Sequence, residues 1–199
     1  VTDPEEMAQR VGDFAKAAGD RLDVMINNAG ILRAGRFEEL DIAGHHREID
    51  INAKGVVNGL YAAFPYLRKT PNSVVVNLSS ASAIYGQAEL ANYSATKFFV
   101  RGFTEALNIE WERHGIHVCD VMPNFVDTPM MAAADGDIVD SIGINLTAAD
   151  VAATILRAAD DRSRVHWKVD TRRNHVLIGV LNRAPRRLHR AAIKRLAGF

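Results

Sequence analysis

The sequence predicts an α/β domain built on a doubly wound parallel sheet, and three observations carry that expectation. Apolar runs of strand length at 22–26, 73–78 and 116–122 alternate with longer segments of helical period. Strands separated by helix-length connections pair in parallel, with the helices as crossovers on the sheet faces. Each run ends in turn or breaker residues, at Asn27, Ser79 and Pro123. In such sheets ligands lie beyond the carboxyl ends of the strands, so the segments 27–30, 79–82 and 123–128 are the first places to look for function.

The elements follow in order. Asp3 is placed to cap a first helix, with Pro4 at its first position and Glu6 closing a capping box. Ala8, Val11, Phe14, Ala15 and Ala18 then recur at helical spacing up to Gly19. After the strand 22–26 and the turn Asn27-Asn28-Ala29-Gly30, one long helix is expected over about 43–68. The strand 73–78 follows, rich in β-branched residues at Val74, Val75 and Val76. A helix over 93–113 stops near Gly115, and the strand 116–122 ends at Pro123. Leu146-Thr147-Ala148-Ala149-Asp150 opens a helix to about Ala159, and 164–169 reads as a last strand. No internal repeat divides residues 1–199, which read as one domain with a basic C-terminal segment at 171–199.

Composition narrows the function classes. The 199 residues are 48% hydrophobic and 24% charged, enough apolar content for a sizeable core. Lys and Arg number 24 against 24 Asp and Glu, so overall charge does not favour nucleic acid as a partner. The balance is uneven along the chain: no acid follows Asp170, while arginines and Lys194 accumulate from Arg172 to Arg195. The single cysteine, Cys119, sits in an apolar run and cannot form an internal disulfide, which fits a reducing cytoplasmic setting. No apolar stretch has the roughly 20 residues needed to span a bilayer. His45, His46, His114 and His117 lack metal-ligand spacing with cysteines or carboxylates, and no metal site is expected.

Tyr93 and Lys97 stand four apart on an expected helix and so share a face. A phenol beside an ammonium is a proton donor and acceptor whose anion the cation favours. That spacing alone is weak evidence, since a solvated helix pair has it too. Its context strengthens it: Asn77-Leu78-Ser79-Ser80 closes an apolar strand upstream, so strand, serine, tyrosine and lysine occur in that order.

With Asn27-Asn28-Ala29-Gly30 and Asn52-Ala53-Lys54-Gly55 added, the pattern resembles the short-chain dehydrogenase/reductase family across nearly the whole chain. Segments 80–86, 93–97 and 121–128 resemble more narrowly a bacterial subgroup of uncharacterised oxidoreductases. The resemblance implies a Rossmann-type fold, NAD or NADP as cofactor, and hydride transfer to or from a carbonyl or alcohol. It implies Tyr93 as general acid/base, Ser80 as hydrogen-bonding partner of the substrate oxygen, and Lys97 as the group that depresses the Tyr93 pKa and holds ribose hydroxyls. Asn52 would support a proton-relaying water. Asn27, Ala29 and Gly30 would line the adenine-ribose side, Asn27 also tying adjacent strands, while Pro123, Val126 and Thr128 would meet the carboxamide.

Further expectations follow from the same resemblance. Asn124 stands where glycine is commoner, which alters the loop. Tyr85 would shape a substrate pocket, with Met130, Met131, Ile138, Ile142 and Ile144 as apolar lid residues suited to a moderately hydrophobic alcohol or ketone. Phe103 and Trp111 would pack internally or against another subunit of a homodimer or homotetramer. The family's glycine-rich phosphate turn does not occur in these residues, so about 60 residues with about three strands are expected upstream of them. A truncated, noncatalytic protein binding a partner or a membrane surface is the competing reading. In support of it, 174–196 interleaves apolar residues with arginines, as helices lying weakly on anionic membranes do; folding over the chain's own site is the alternative use of that segment.

Overall fold

The computed structural model describes residues 1–132, 146–169 and 184–198. The elements are α1 (Pro4–Ala17), β1 (Val24–Asn27), α2 (Ile42–Ile49), α3 (Gly55–Leu67), β2 (Val74–Leu78), α4 (Ala91–Glu112), β3 (His117–Met122), β4 (Val126–Asp127), α5 (Pro129–Ala132), β5 (Leu146–Thr147), α6 (Ala148–Asp160), β6 (His166–Lys168) and α7 (Arg186–Leu196). The main sheet runs β1-β2-β3-β6 and every neighbouring pair is parallel, as the alternation of strands and helices predicts. The short pair β4 and β5 was not anticipated.

Helices cover both faces of the sheet. On one side Val75 and Val118 pack with Leu60, Ala63 and Leu67 of α3 and Val100 and Leu107 of α4. On the other, Val74, Val76, Cys119 and Val121 pack with Ala158 of α6. Successive strand residues point to opposite faces, so continuously apolar strands serve two cores at once. Trp111 and Phe103 support the first of these cores, Trp111 against Phe64 with ring centroids 4.9 Å apart.

Local chemistry sets the helix ends. Asp3 caps α1 by accepting the N–H groups of Glu5 and Glu6 at 2.9 Å, while the Glu6 carboxylate faces Arg10 rather than closing a box. A reciprocal capping box does form at α6, between Thr147 and Asp150. The expected single helix over 43–68 is broken: α2 and α3 are joined by a π-helical turn at Asp50–Lys54. A π turn inserts one extra residue and reorients the side chains within it. Here it turns Asn52 inward until the residue is 1% exposed.

Polar braces hold the carboxyl end of the sheet. Asn27 donates to Asn77 Oδ1 at 2.8 Å, and Asn77 donates to Thr104 Oγ1 at 2.9 Å, which ties β1, β2 and α4 in a line. Gly59 makes this possible, because a Cβ there would overlap Asn27 Oδ1. The expectation that Asn27 links adjacent strands describes its position.

Candidate functional site

Beyond the carboxyl ends of β1, β2 and β3 lies a cavity of about 360 Å3. Ser80, Tyr93 and Lys97 contribute polar groups to its wall. Gly30, Pro123, Val126 and Thr128 line it as well, so three strand-end segments converge as the fold class predicts. Asn27 and Ala29 do not line this cavity; both border a smaller one of about 70 Å3 between α1, β1 and α3. Successive residues after β1 therefore face two spaces, with Asn28 reaching both.

Ser80 lies two residues past the end of β2 and is buried. Its Oγ donates to Ser82 Oγ at 3.1 Å and accepts the Ser82 N–H, and Ser82 in turn donates to Gln87. Ser80 also acts on the Tyr93 phenol, drawing its pKa down. Tyr93 and Lys97 occupy adjacent turns of α4, with Lys97 Nζ 5.5 Å from the centre of the Tyr93 ring. Lys97 Nζ donates to the Leu78 C=O at 2.8 Å.

The electrostatics differ from the expectation that Lys97 depresses the Tyr93 pKa. Burial pushes the phenol up to about 12, outweighing the downward pull of Ser80, and the Glu48 carboxylate adds to the rise. Burial also brings the Lys97 ammonium down to about 8, against the pull of Glu48. Loss of hydration penalises both charged forms, and over this separation it exceeds the mutual stabilisation of phenolate and ammonium. At neutral pH the phenol holds its proton and the lysine is still predominantly charged.

Asn52 lies below this wall and outside the cavity lining. Its Oδ1 accepts the Ile31 N–H at 2.8 Å, and its Nδ2 donates to the Ile31 C=O at 2.8 Å and to Thr96 Oγ1 at 3.2 Å. The side chain thus clips the loop after β1 to α4. A Cβ on Gly30 would lie 3.3 Å from Asn52 Oδ1 and 3.9 Å from Lys97 Nζ, so glycine leaves the space in front of the lysine open. Thr128 shapes the third segment, its Oγ1 accepting the Met131 N–H at the start of α5.

Several lining residues had no clear sequence signal. Val151, Ala152 and Ile155 of α6 and Leu32 and Phe125 of the loops supply much of the apolar wall, together with the expected Met130 and Met131. Position along an amphipathic helix says which side is apolar and nothing about which cavity that side meets. The lid residues Ile138, Ile142 and Ile144 lie outside the described residues.

Helix α7 closes one flank. Ile193, Leu196 and Ala197 pack with Leu90, Phe125 and Met131, while Leu188 stays exposed. Tyr85 stacks on His189 with centroids 5.1 Å apart and lies beneath the Arg186 guanidinium. The described part of the basic segment therefore directs apolar residues toward the chain's own site; 174–183 lies outside the described residues. No described helix is long and apolar enough to cross a membrane. Among the described residues no three His, Cys, Asp or Glu side chains are grouped as metal ligands.

The comparisons agree with this geometry. The sequence profile of the short chain dehydrogenase family matches residues 1–138. Over 164 residues the chain is 32% identical to the 3-alpha-(or 20-beta)-hydroxysteroid dehydrogenase of Mycobacterium bovis, covering 82% of this chain and 63% of that protein. It is 38% identical over 128 residues to an acetoacetyl-CoA reductase from Acinetobacter, covering 64% of this chain and 52% of the relative. The chain thus spans about three fifths and about half of these two relatives. Among solved structures, ElxO with NADP bound superposes with a TM-score of 0.74 at 26% identity, covering 85% of this chain and 73% of that one. Fold, ordered motifs and sequence similarity lead to one assignment: the chain belongs to the short chain dehydrogenase family.

Proposed function

We propose that the protein is an NAD- or NADP-dependent oxidoreductase acting on a carbonyl or alcohol, with Tyr93 as its general acid/base. The observation that carries this reading is the convergence of Ser80, Tyr93 and Lys97 on one wall of a largely apolar cavity at the strand carboxyl ends. The residues present fit a nicotinamide dinucleotide. Gly30 puts no side chain in front of Lys97, and Lys97 spends one of its three N–H donors on Leu78, leaving donors for ribose hydroxyls. The dinucleotide supplies the hydride acceptor or donor.

In the reducing direction Ser80 and Tyr93 bind the substrate oxygen through their hydroxyls, and the phenol gives its proton to that oxygen as negative charge develops there. A phenol raised to about 12 is fully protonated at neutral pH and so begins as the donor. The Lys97 ammonium, 5.5 Å from the ring centre, offsets the phenolate charge that results. Oxidation follows the same path in reverse.

Leu32, Phe125, Met130, Met131, Val151 and Ile155 support a moderately hydrophobic substrate. The relatives named for a hydroxysteroid and for acetoacetyl-CoA support the same class of chemistry. Asn52 is proposed as the brace that places Ile31 and Gly30, and Pro123, Val126 and Thr128 as the carboxamide side of the site. Asn27 and Ala29 are proposed to act on the adenine-ribose side. We infer a homo-oligomer from Tyr61 of α3 and Ile109 of α4, apolar side chains 84% and 74% exposed. The buried free thiol of Cys119 supports a reducing, cytoplasmic setting. For α7 the inward packing of Ile193 and Leu196 supports a role as pocket wall, whereas a weak membrane contact would rest on its basic residues alone.

Tyr93→Phe in the full-length protein tests the central assignment. Turnover is expected to fall roughly 10²- to 10⁴-fold with dinucleotide binding largely retained, because only the transferable proton is removed. Near-normal turnover would refute it.

A further inference from the structure

The Tyr93 and Lys97 wall adjoins a buried acid that the proposed reaction leaves without a role. Glu48, in the last turn of α2, is 1% exposed. One carboxylate oxygen accepts the Arg33 backbone N–H at 3.1 Å, and the other accepts Asn92 Nδ2 at 2.6 Å. Asn92, the neighbour of Tyr93, also donates to the His45 C=O at 3.1 Å. Arg33 is held in turn by Asp41 at 2.7 Å, and its guanidinium occupies the space that a Cβ at Gly44 would need. Three parts of the chain therefore meet at one carboxylate: α2, the loop carrying Gly30 and Leu32, and the first turn of α4.

Burying a carboxylate is costly unless hydrogen bonds and opposite charge compensate it, so an acid at a core-facing helix position calls for a reason. The titratable groups coupled to it through their charges are His45 from α2, Arg33 from the loop, and Tyr93 and Lys97 from α4. Lys97 is itself 6% exposed. Among the described residues no carboxylate approaches Lys97 within ion-pair distance, and Glu48 is the acid whose field reaches it.

We propose that Glu48 is a positioning residue for the Tyr93 and Lys97 pair, bracing the first turn of α4 through Asn92 and serving as the buried counter-charge of the Lys97 ammonium. The brace sets where the phenol stands relative to Gly30 and Leu32. The counter-charge keeps the lysine protonated in a site whose burial works against it. The catalytic consequence rests on the reading of Tyr93 given above; the electrostatic one does not.

The experiment is a ¹⁵N NMR titration of the Lys97 ammonium in the intact protein, its resonance assigned by its loss in Lys97→Met. The unsubstituted protein should titrate at about 8. Glu48→Gln, nearly isosteric but uncharged, should lower that midpoint by roughly one pH unit, and kcat should fall with little change in KM. Glu48→Asp keeps the charge but shortens the reach to Asn92, so kcat should fall while the Lys97 midpoint holds. An unmoved midpoint in Glu48→Gln, or an equal shift in both variants, overturns the proposal. Failure of the Tyr93 assignment would instead appear as turnover retained in Tyr93→Phe, with the Lys97 titration unaffected.

Discussion

Replacing Asn52 with alanine removes three hydrogen bonds at once: two of 2.8 Å to the backbone of Ile31 and one of 3.2 Å to Thr96. Ile31 is half-buried, so water reaches its freed N–H and C=O in part, whereas Thr96 is 3% exposed and keeps only its bond to the Tyr93 C=O. An orphaned buried polar group costs about 1–3 kcal/mol. Summed with allowance for solvent at Ile31, the loss is about 2–4 kcal/mol. With a urea slope of about 2 kcal/mol/M, the unfolding midpoint should drop by about 1–2 M. Asn58→Ala is the control, since Asn58 makes a single exposed bond to the Val1 C=O and its loss should cost under about 0.5 kcal/mol. Equal midpoints for the two variants would refute the reasoning, because Asn52 would then not be the clip between the β1 loop and α4.

Three other perturbations follow from the same geometry. Lys97→Ala should weaken dinucleotide affinity, measured by calorimetry on the full-length protein, as well as slow turnover; unchanged affinity would withdraw the ribose role. Gly59→Ala should destabilise the fold by about 1–3 kcal/mol in thermal or denaturant unfolding, because the new Cβ displaces Asn27 Oδ1 from the line joining β1, β2 and α4. His166 should make stability pH-dependent: its hydrogen bond to Asp120, at 2.9 Å, raises the imidazole pKa above its ordinary value. The protonated ring is favoured in the folded state, so this stability is fully present below about pH 6.5 and is lost as pH rises through the raised value. His166→Asn should flatten that part of the pH profile, and an unchanged profile would assign the dependence elsewhere.

The order of strands and helices, and the placement of Ser80, Tyr93 and Lys97, were legible in the sequence because local rules govern them. Strands buried on both faces are continuously apolar, residues four apart share a helix face, and strand ends in a parallel sheet gather on one edge. The last of those rules pointed to the segments 27–30 and 123–128 as wholes; that Gly30 joins Pro123, Val126 and Thr128 around one space while Asn27 and Ala29 border another is decided by the folded loop. The local rules did not reveal that the helical segment from 43 to 68 breaks at a π turn, since an apolar period cannot register one inserted residue that pulls Asn52 inward. Nor did they reveal Glu48, whose partner Asn92 lies far along the chain and comes near only when α2 packs on α4. The same holds for Val151 and Ile155 of α6 and for Ile193 and Leu196 of α7: their apolar character is local, but the surface each covers is decided by tertiary packing. The pKa values of the site belong to that second category. Spacing brings the Tyr93 phenol and the Lys97 ammonium together, whereas burial, which exists only in the folded chain, raises the one and lowers the other.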